Sequence, residues 1–192
     1  MWECIKIKNI TFKDIADIYS GIRNTQFKNK EKIFKYHSIT LTKDNDFEID
    51  IDKSDALYTD KPLDEKYLLR KGNIILRLTP PYTSRLVEFN RDNLTTTSNY
   101  AIIKVKEDYS PEVLNFYLNS TYTKKQIYKY CEQTSVKVVN ISSIKNFKIN
   151  NINNYENINY INLLKTFTKK RKLIQKELSL EENILEELFF GE

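Results

Sequence analysis

Side chains able to hydrogen-bond the edges of nucleic-acid bases recur in this sequence, in polar stretches between apolar runs. Arg23, Asn24, Gln26 and Lys28 follow Gly21. Arg77, Tyr82, Thr83, Ser84 and Arg85 surround the stiff Pro80-Pro81 step. Arg91, Thr96 and Ser98 belong to a stretch rich in Thr and Asn, and Thr134, Ser135 and Lys137 form a fourth group. Arginine suits a guanine edge or a phosphate, Asn and Gln can read adenine, and hydroxyls serve phosphates or bases. The same residues would also make ordinary polar surface loops, with their arginines paired to nearby acids.

Other chemistry is less well supported. Asp44, Asp46, Glu48, Asp50 and Asp52 alternate with Phe47, Ile49 and Ile51. On a strand that spacing puts the carboxylates in a row on one face, whereas a metal needs convergent ligands. The row reads as a solvated face that would also block edge pairing. Asp64-Glu65-Lys66 could close a nuclease-like acidic set with Asp50 or Asp52, a pattern that is frequent by chance in a chain that is 30% charged. His37 is the single histidine and reads as a packed or surface residue. Thr79-Pro80-Pro81-Tyr82 looks like the loop of adenine methyltransferases that holds a flipped base, but Thr is the wrong first residue and no glycine-rich cofactor turn precedes it. Gly21, Gly72 and Gly191 are the only glycines, which argues against dinucleotide and phosphate-binding loops. No catalytic residue, metal site or cofactor is expected.

The elements that must position these residues fall into two regions. Across 192 residues the hydrophobic fraction is 40%, enough for one core with an appended element. Apolar runs at Ile5–Ile7, Lys32–Tyr36, Phe47–Ile51, Asn73–Leu78, Tyr100–Val105 and Val136–Val139 predict strands. Ser110 as an N-cap and Pro111 at the first helical position start a helix packed on the sheet, and Thr121–Tyr130 predicts another. Ser142–Ile144 predicts a short turn before Phe147–Ile149. From about Tyr155 to Phe189 there is no Gly or Pro. Tyr160, Leu164, Phe167, Arg171, Ile174, Leu178, Glu181, Leu185 and Leu188 recur there at alternating steps of four and three, a heptad seam widened by Leu173, Leu180 and Ile184. The domains divide as 1–150 and 151–192.

This final helix carries Lys165, Lys169, Lys170, Arg171, Lys172 and Lys176, then Glu177, Glu181, Glu182, Glu186 and Glu187. Parallel pairing of two copies would set like charges together, and antiparallel pairing sets each basic half against an acidic one. A solvated helix packed on its own domain is the alternative. The whole chain carries +5; residues 43–66 contribute −5 and residues 165–187 contribute +1, which leaves +9 for the rest and suits an anionic partner. Cys4 and Cys131 form neither a disulfide framework nor a metal spacing. The start of the sequence does not resemble a signal peptide, and no stretch reaches the length of a membrane helix. These features predict a soluble, cytoplasmic protein.

Several segments together resemble type I restriction–modification specificity subunits. Lys71-Gly72-Asn73-Ile74-Ile75-Leu76-Arg77 is similar to that family's "K-G-D-I-L" strand. Asp14 to Gly21 resembles its opening. Ser98 to Ile103, followed by Pro111 to Asn119, resembles its later strand and helix. Thr134 to Ile149 resembles its distal end, before the long helix. The family's "P-x-x-x-E-Q" segment is missing: 150–160 holds no proline and no Glu-Gln pair. The resemblance implies an α+β fold, with a mixed, β-rich target-recognition domain and packed helices, followed by one long C-terminal helix in an antiparallel coiled coil. It implies sequence-specific recognition of double-stranded DNA without catalysis, with the four groups of polar residues as DNA contacts. It also implies a homodimer through the helices that reads a bipartite inverted repeat, with a DNA methyltransferase subunit as a possible partner. At about 1.5 Å per residue the helix would be a spacer of roughly 50 Å, or about 15 base pairs. A stand-alone DNA-binding dimer, such as a repressor or maintenance protein, is the alternative.

Overall fold

The computed structural model describes residues 10–23, 33–41, 49, 51–52, 54–131, 137–149 and 158–191. Its elements are β1 (Ile10–Thr11), α1 (Phe12–Ile15), β2 (Ala16–Ser20), β3 (Phe34–Ile39), β4 (Asp55–Thr59), β5 (Ile74–Arg77), β6 (Ser84–Leu86), β7 (Leu94–Thr96), β8 (Tyr100–Val105), α2 (Pro111–Asn119), α3 (Thr121–Cys131), α4 (Ile141–Lys145), β9 (Lys148–Ile149) and α5 (Ile158–Phe190). The fold class is the expected one: an α+β head followed by one long helix.

The head has three layers. A four-stranded antiparallel sheet runs β2-β8-β5-β6, and a second sheet runs β4-β3-β7, with β3 and β7 parallel. Side chains alternate across the two central strands. Ile74, Leu76, Ala101 and Ile103 face a core built with α1 to α4, while Ile75, Tyr100 and Ile102 face a second core shared with Ile39 and Leu94 of the other sheet and with Leu69 of the loop before β5. A strand buried on both faces reads as a continuous apolar run, which is why Tyr100–Val105 was legible to the residue.

Local chemistry sets the helix boundaries. Ser110 Oγ accepts from the Val113 amide, with Pro111 in the first turn, as expected. Ser120 ends α2 and starts α3, because its Oγ donates to Tyr117 O and accepts from the Thr123 amide. The turn expected at Ser142–Ile144 is the short helix α4, capped by Asn140, whose Oδ1 accepts from the Ser143 amide at 2.7 Å.

Three strand expectations need correction or fall elsewhere. Residues 137–139 form no strand, and Val139 gives its amide to Leu78 O and its side chain to the first core. Ile49 and Ile51 are not in a strand either, although both pack against the second core; residues 42–48 and 50 lie outside the described residues. The strand expected at Ile5–Ile7 also lies outside them. Cys131 is buried in the first core, and among the described residues no helix is long and apolar enough to cross a membrane.

β1 pairs antiparallel with β9, and the Phe12 amide donates to Phe147 O, so the two ends of the head are stitched together. α5 follows. Its early turns lie along α2 and the edge strand β6, where Lys165 pairs with Glu112 at 3.1 Å and Lys172 with Glu88 at 2.7 Å. A cleft of about 490 Å³ remains at this junction, lined by Arg85, Asn115, Phe116, Lys165, Thr168 and Lys172 among others. From Leu173 to Gly191 every residue is exposed.

Candidate nucleic-acid interface

One end of the four-stranded sheet gathers most of the loops that sequence singled out. β2 finishes there at Ser20, opposite Ala101 near the start of β8, and Arg77 at the end of β5 faces Tyr100. Gly21 donates its amide to Tyr100 O at 2.9 Å. Beyond it Ile22 bridges Thr97 in parallel, donating to Thr96 O and accepting from the Ser98 amide, both at 2.8 Å. The approach is so close that a Cβ on Gly21 would lie 2.2 Å from Thr97 O. Only glycine fits this spacing. The bridge sets exposed Arg23 beside half-buried Ser98.

The loop after β5 joins the same end. The Leu78 amide donates to Asn99 O, and the Val139 amide to Leu78 O, which brings exposed Lys137 alongside. Arg77 is half-buried, with its Nε donating to Thr79 Oγ1 at 3.2 Å. Arg23, Arg77, Ser98 and Lys137 thus share one end of the sheet, and residues 20–23, 77–83, 97–100 and 137–140 contain no acid. Cations in loops without acids of their own attract phosphate. Asn24, Gln26, Lys28, Thr134 and Ser135 lie outside the described residues.

Five candidates are misplaced as base readers. Tyr82 is fully buried in the left-handed region at φ 56°, and its hydroxyl donates to Lys137 O at 2.9 Å. Its ring meets Tyr128 edge-on, with centroids 5.5 Å apart. Burial, and after it the neighbouring Cys131 thiol, push the phenol pKa well above its ordinary value. A ring locked inside the core cannot stack on a flipped base. Thr83 is buried as well. Ser84 is buried against α2, and Thr96 donates to Ile39 O. Arg85 is buried, donates to Ser84 O at 2.8 Å and lines the cleft beside α5. The Pro80-Pro81 step made these residues look like an exposed turn. It instead turns the chain inward.

Sequence reasoning missed Asn119. Its side-chain oxygen accepts from the Ser84 amide at 2.9 Å and its Nδ2 donates to Ser84 O at 3.0 Å, so one side chain satisfies both backbone groups on the free edge of β6. Arg91 is also not with the others. It is exposed near the start of β7, away from Ser98 at that strand's far end, and reaches His37 Nε2 at 3.4 Å. His37 Nδ1 lies 3.1 Å from Ser54 Oγ. Partial burial, then the nearby Arg91 and Lys35 charges, hold the His37 pKa below its ordinary value. The Asp64-Glu65-Lys66 group is engaged structurally: Asp64 caps a short turn and pairs with Lys66, and Glu65 pairs with Arg70.

No family model and no curated protein matches this sequence. Solved structures do. A chain from work on complex assembly and conformational transition of the type I restriction–modification system superposes with a TM-score of 0.62 at 10% identity, over 98% of this chain and 45% of that one. The HsdS subunit from Thermoanaerobacter tengcongensis gives 0.56 at 15%, over 100% and 46%. The S subunit of the type I restriction–modification system from M. genitalium gives 0.55 at 13%, over 94% and 45%. The architecture is therefore that of an α+β head with one long helical handle. More particularly, it is the fold of slightly less than half of a type I restriction–modification specificity subunit.

Proposed function

We propose that this chain is a specificity module of a restriction–modification system, which reads one half-site in double-stranded DNA and performs no catalytic step itself. The observation that carries this is the convergence of Arg23, Arg77, Ser98 and Lys137 at one end of the sheet, in described loops that hold no acid, on a fold shared with such subunits. Phosphate contacts from the cations fix the head on the duplex, and the loops at this end choose the bases. Asn24, Gln26, Lys28, Thr134 and Ser135 belong to segments that join this end at Arg23 and Lys137. α5 pairs antiparallel with α5 of a second copy, so that two heads read an inverted repeat. Its exposed apolar stripe and its opposed basic and acidic halves support that pairing. The work is cytoplasmic, where the DNA is.

The test is selection of bound duplexes from a random pool, followed by titration of the enriched site against salt. Arg23→Ala, Arg77→Ala and Lys137→Ala should each weaken binding, by about 1–3 kcal/mol where a base contact is lost or with a salt slope reduced by about 1 where a phosphate contact is lost. Arg91→Ala, remote from this end, should bind like the parent. Equal losses for all four, or no enrichment, would overturn the assignment. A stand-alone DNA-binding dimer is the second reading, favoured by the missing proline and Glu-Gln pair in 150–160. Co-purification with a methyltransferase subunit separates the two.

A further inference from the structure

The partner helix proposed above leaves open how the two copies slide against one another, and the seam of α5 carries the answer in two charged positions. The helix presents two stripes. Ile161, Lys165, Thr168 and Lys172 lie toward the head, where Lys165 and Lys172 pair with Glu112 and Glu88, and half-buried Leu164 and exposed Arg171 stand at the rim of the same cleft. Phe167, Ile174, Leu178 and Leu185 lie on a second stripe, with exposures of 51%, 45%, 51% and 52%. At about 3.6 residues per turn the two stripes are roughly 130° apart. Docking on its own head therefore leaves Phe167, Ile174, Leu178, Leu185 and Leu188 open to another helix, with Leu164 and Arg171 at the edge of the seam nearest the head.

Resting on that antiparallel reading, we propose that α5 pairs with α5 of a second copy in one register, in which Arg171 of each copy faces Glu181 of the other across the seam. The two-fold axis then passes beside Lys176, at the switch between the basic and acidic halves. From Leu164 to Leu188 every other seam position meets an apolar one. Leu164 faces Leu188, Phe167 faces Leu185 and Ile174 faces Leu178 of the second copy, and the same layers repeat on the other side of the axis. The register holds six apolar layers and two reciprocal ion pairs.

Competing arrangements misplace the charges. A shift of one heptad in one direction sets Arg171 against Ile174 and Glu181 against Leu164. The opposite shift sets Arg171 against Leu188 and Glu181 against Leu178. Parallel pairing in register sets Arg171 against Arg171 and Glu181 against Glu181. A charge in a seam opposite an apolar or like-charged residue is desolvated without compensation. A polar residue at such a position is a well-attested way to select register at some cost in stability. Arg171 and Glu181 are both exposed on the single chain, so the pairing would supply each with its counter-charge.

The test uses the full chain. Phe167→Cys and Leu185→Cys variants are prepared separately, mixed and oxidised. The proposed register predicts a disulfide-linked heterodimer, and no homodimer from either variant, because like positions stand about 27 Å apart at about 1.5 Å per residue. Phe167→Cys mixed with Leu178→Cys reports the shifted register and should not link. A Phe167→Cys homodimer means parallel pairing. As a second measurement by light scattering, Arg171→Glu and Glu181→Arg should each dissociate at tenfold or more higher protein concentration than the parent, while their equimolar mixture recovers parental association. A parent chain that stays monomeric would sink the proposed dimer itself. A dimeric parent that links only in another combination, or whose two charge variants fail to rescue each other, would overturn the register alone.

Discussion

Gly21 is where the sheet and its loop-bearing end meet, and Gly21→Ala tests that junction. The added Cβ would sit 2.2 Å from Thr97 O, 2.6 Å from Thr96 O and 2.7 Å from Thr97 C, all backbone atoms. No rotamer can relieve that overlap, so the bridge must separate. Three hydrogen bonds hold it: Gly21 N to Tyr100 O, Ile22 N to Thr96 O and Ser98 N to Ile22 O. At about 1 kcal/mol net each, their loss costs about 3 kcal/mol. For a protein of this size about 1 kcal/mol moves Tm by about 2–4 °C, so the melt should fall by about 6–12 °C. Gly72→Ala is the comparison. Its Cβ would meet only Pro111 Cγ at 3.9 Å, and the penalty is the backbone strain of φ 89°, about 1–2 kcal/mol. Circular-dichroism melts give the two Tm shifts, and hydrogen exchange at the Ile22 and Ser98 amides reports the bridge directly. A Gly21→Ala protein that melts within about 3 °C of the parent and still protects those two amides would refute the close-approach argument.

Three further outcomes follow from bonds described above. Tyr82→Phe removes the hydroxyl that donates to Lys137 O and should cost about 1–2 kcal/mol in urea unfolding; no loss would mean that this carbonyl is readily satisfied without Tyr82. Asn119→Ala uncovers the Ser84 amide, while Ser84 O keeps its bond from Arg85, and should cost about 1–2 kcal/mol, with faster exchange at the Ser84 amide; unchanged exchange would show that the edge has another cover. His37 is held below its ordinary 6.5, so unfolding takes up a proton there. Its stabilising contribution is complete above 6.5 and fades as pH falls through 6.5 toward the folded value. An imidazole titration followed by NMR should show a lowered midpoint that rises in Arg91→Ala, and a midpoint at or above 6.5 in the parent would contradict the burial described.

Elements whose signal is local were legible in the sequence. Tyr100–Ile103 is apolar throughout because both faces of that part of β8 are buried, and Ser110-Pro111 announces its helix through capping chemistry alone. The long helix was legible because 33 residues without Gly or Pro repeat a heptad pattern. Elements defined by distant partners were not. β4 and β7 are short strands whose backbones pair with β3, 17–25 and 57 positions away. The burial of Tyr82 depends on Tyr128 and Lys137, and no local pattern carries that. The candidate site divides the same way: side-chain chemistry picked out Arg23, Arg77, Ser98 and Lys137, but only the strand register shows that these share an end and that Arg91 stands apart.

The clasp between β1 and β9 has a mechanical corollary. It closes the head beside the Ala16 end of β2, and the Gly21 bridge lies at the other end of that strand. Changes in length or composition among the loops beyond Gly21 therefore need not disturb the point from which the handle departs. A module with its entry and exit fastened together behaves as a cartridge: the surface at one end can change while the departure point of the long helix stays as it was.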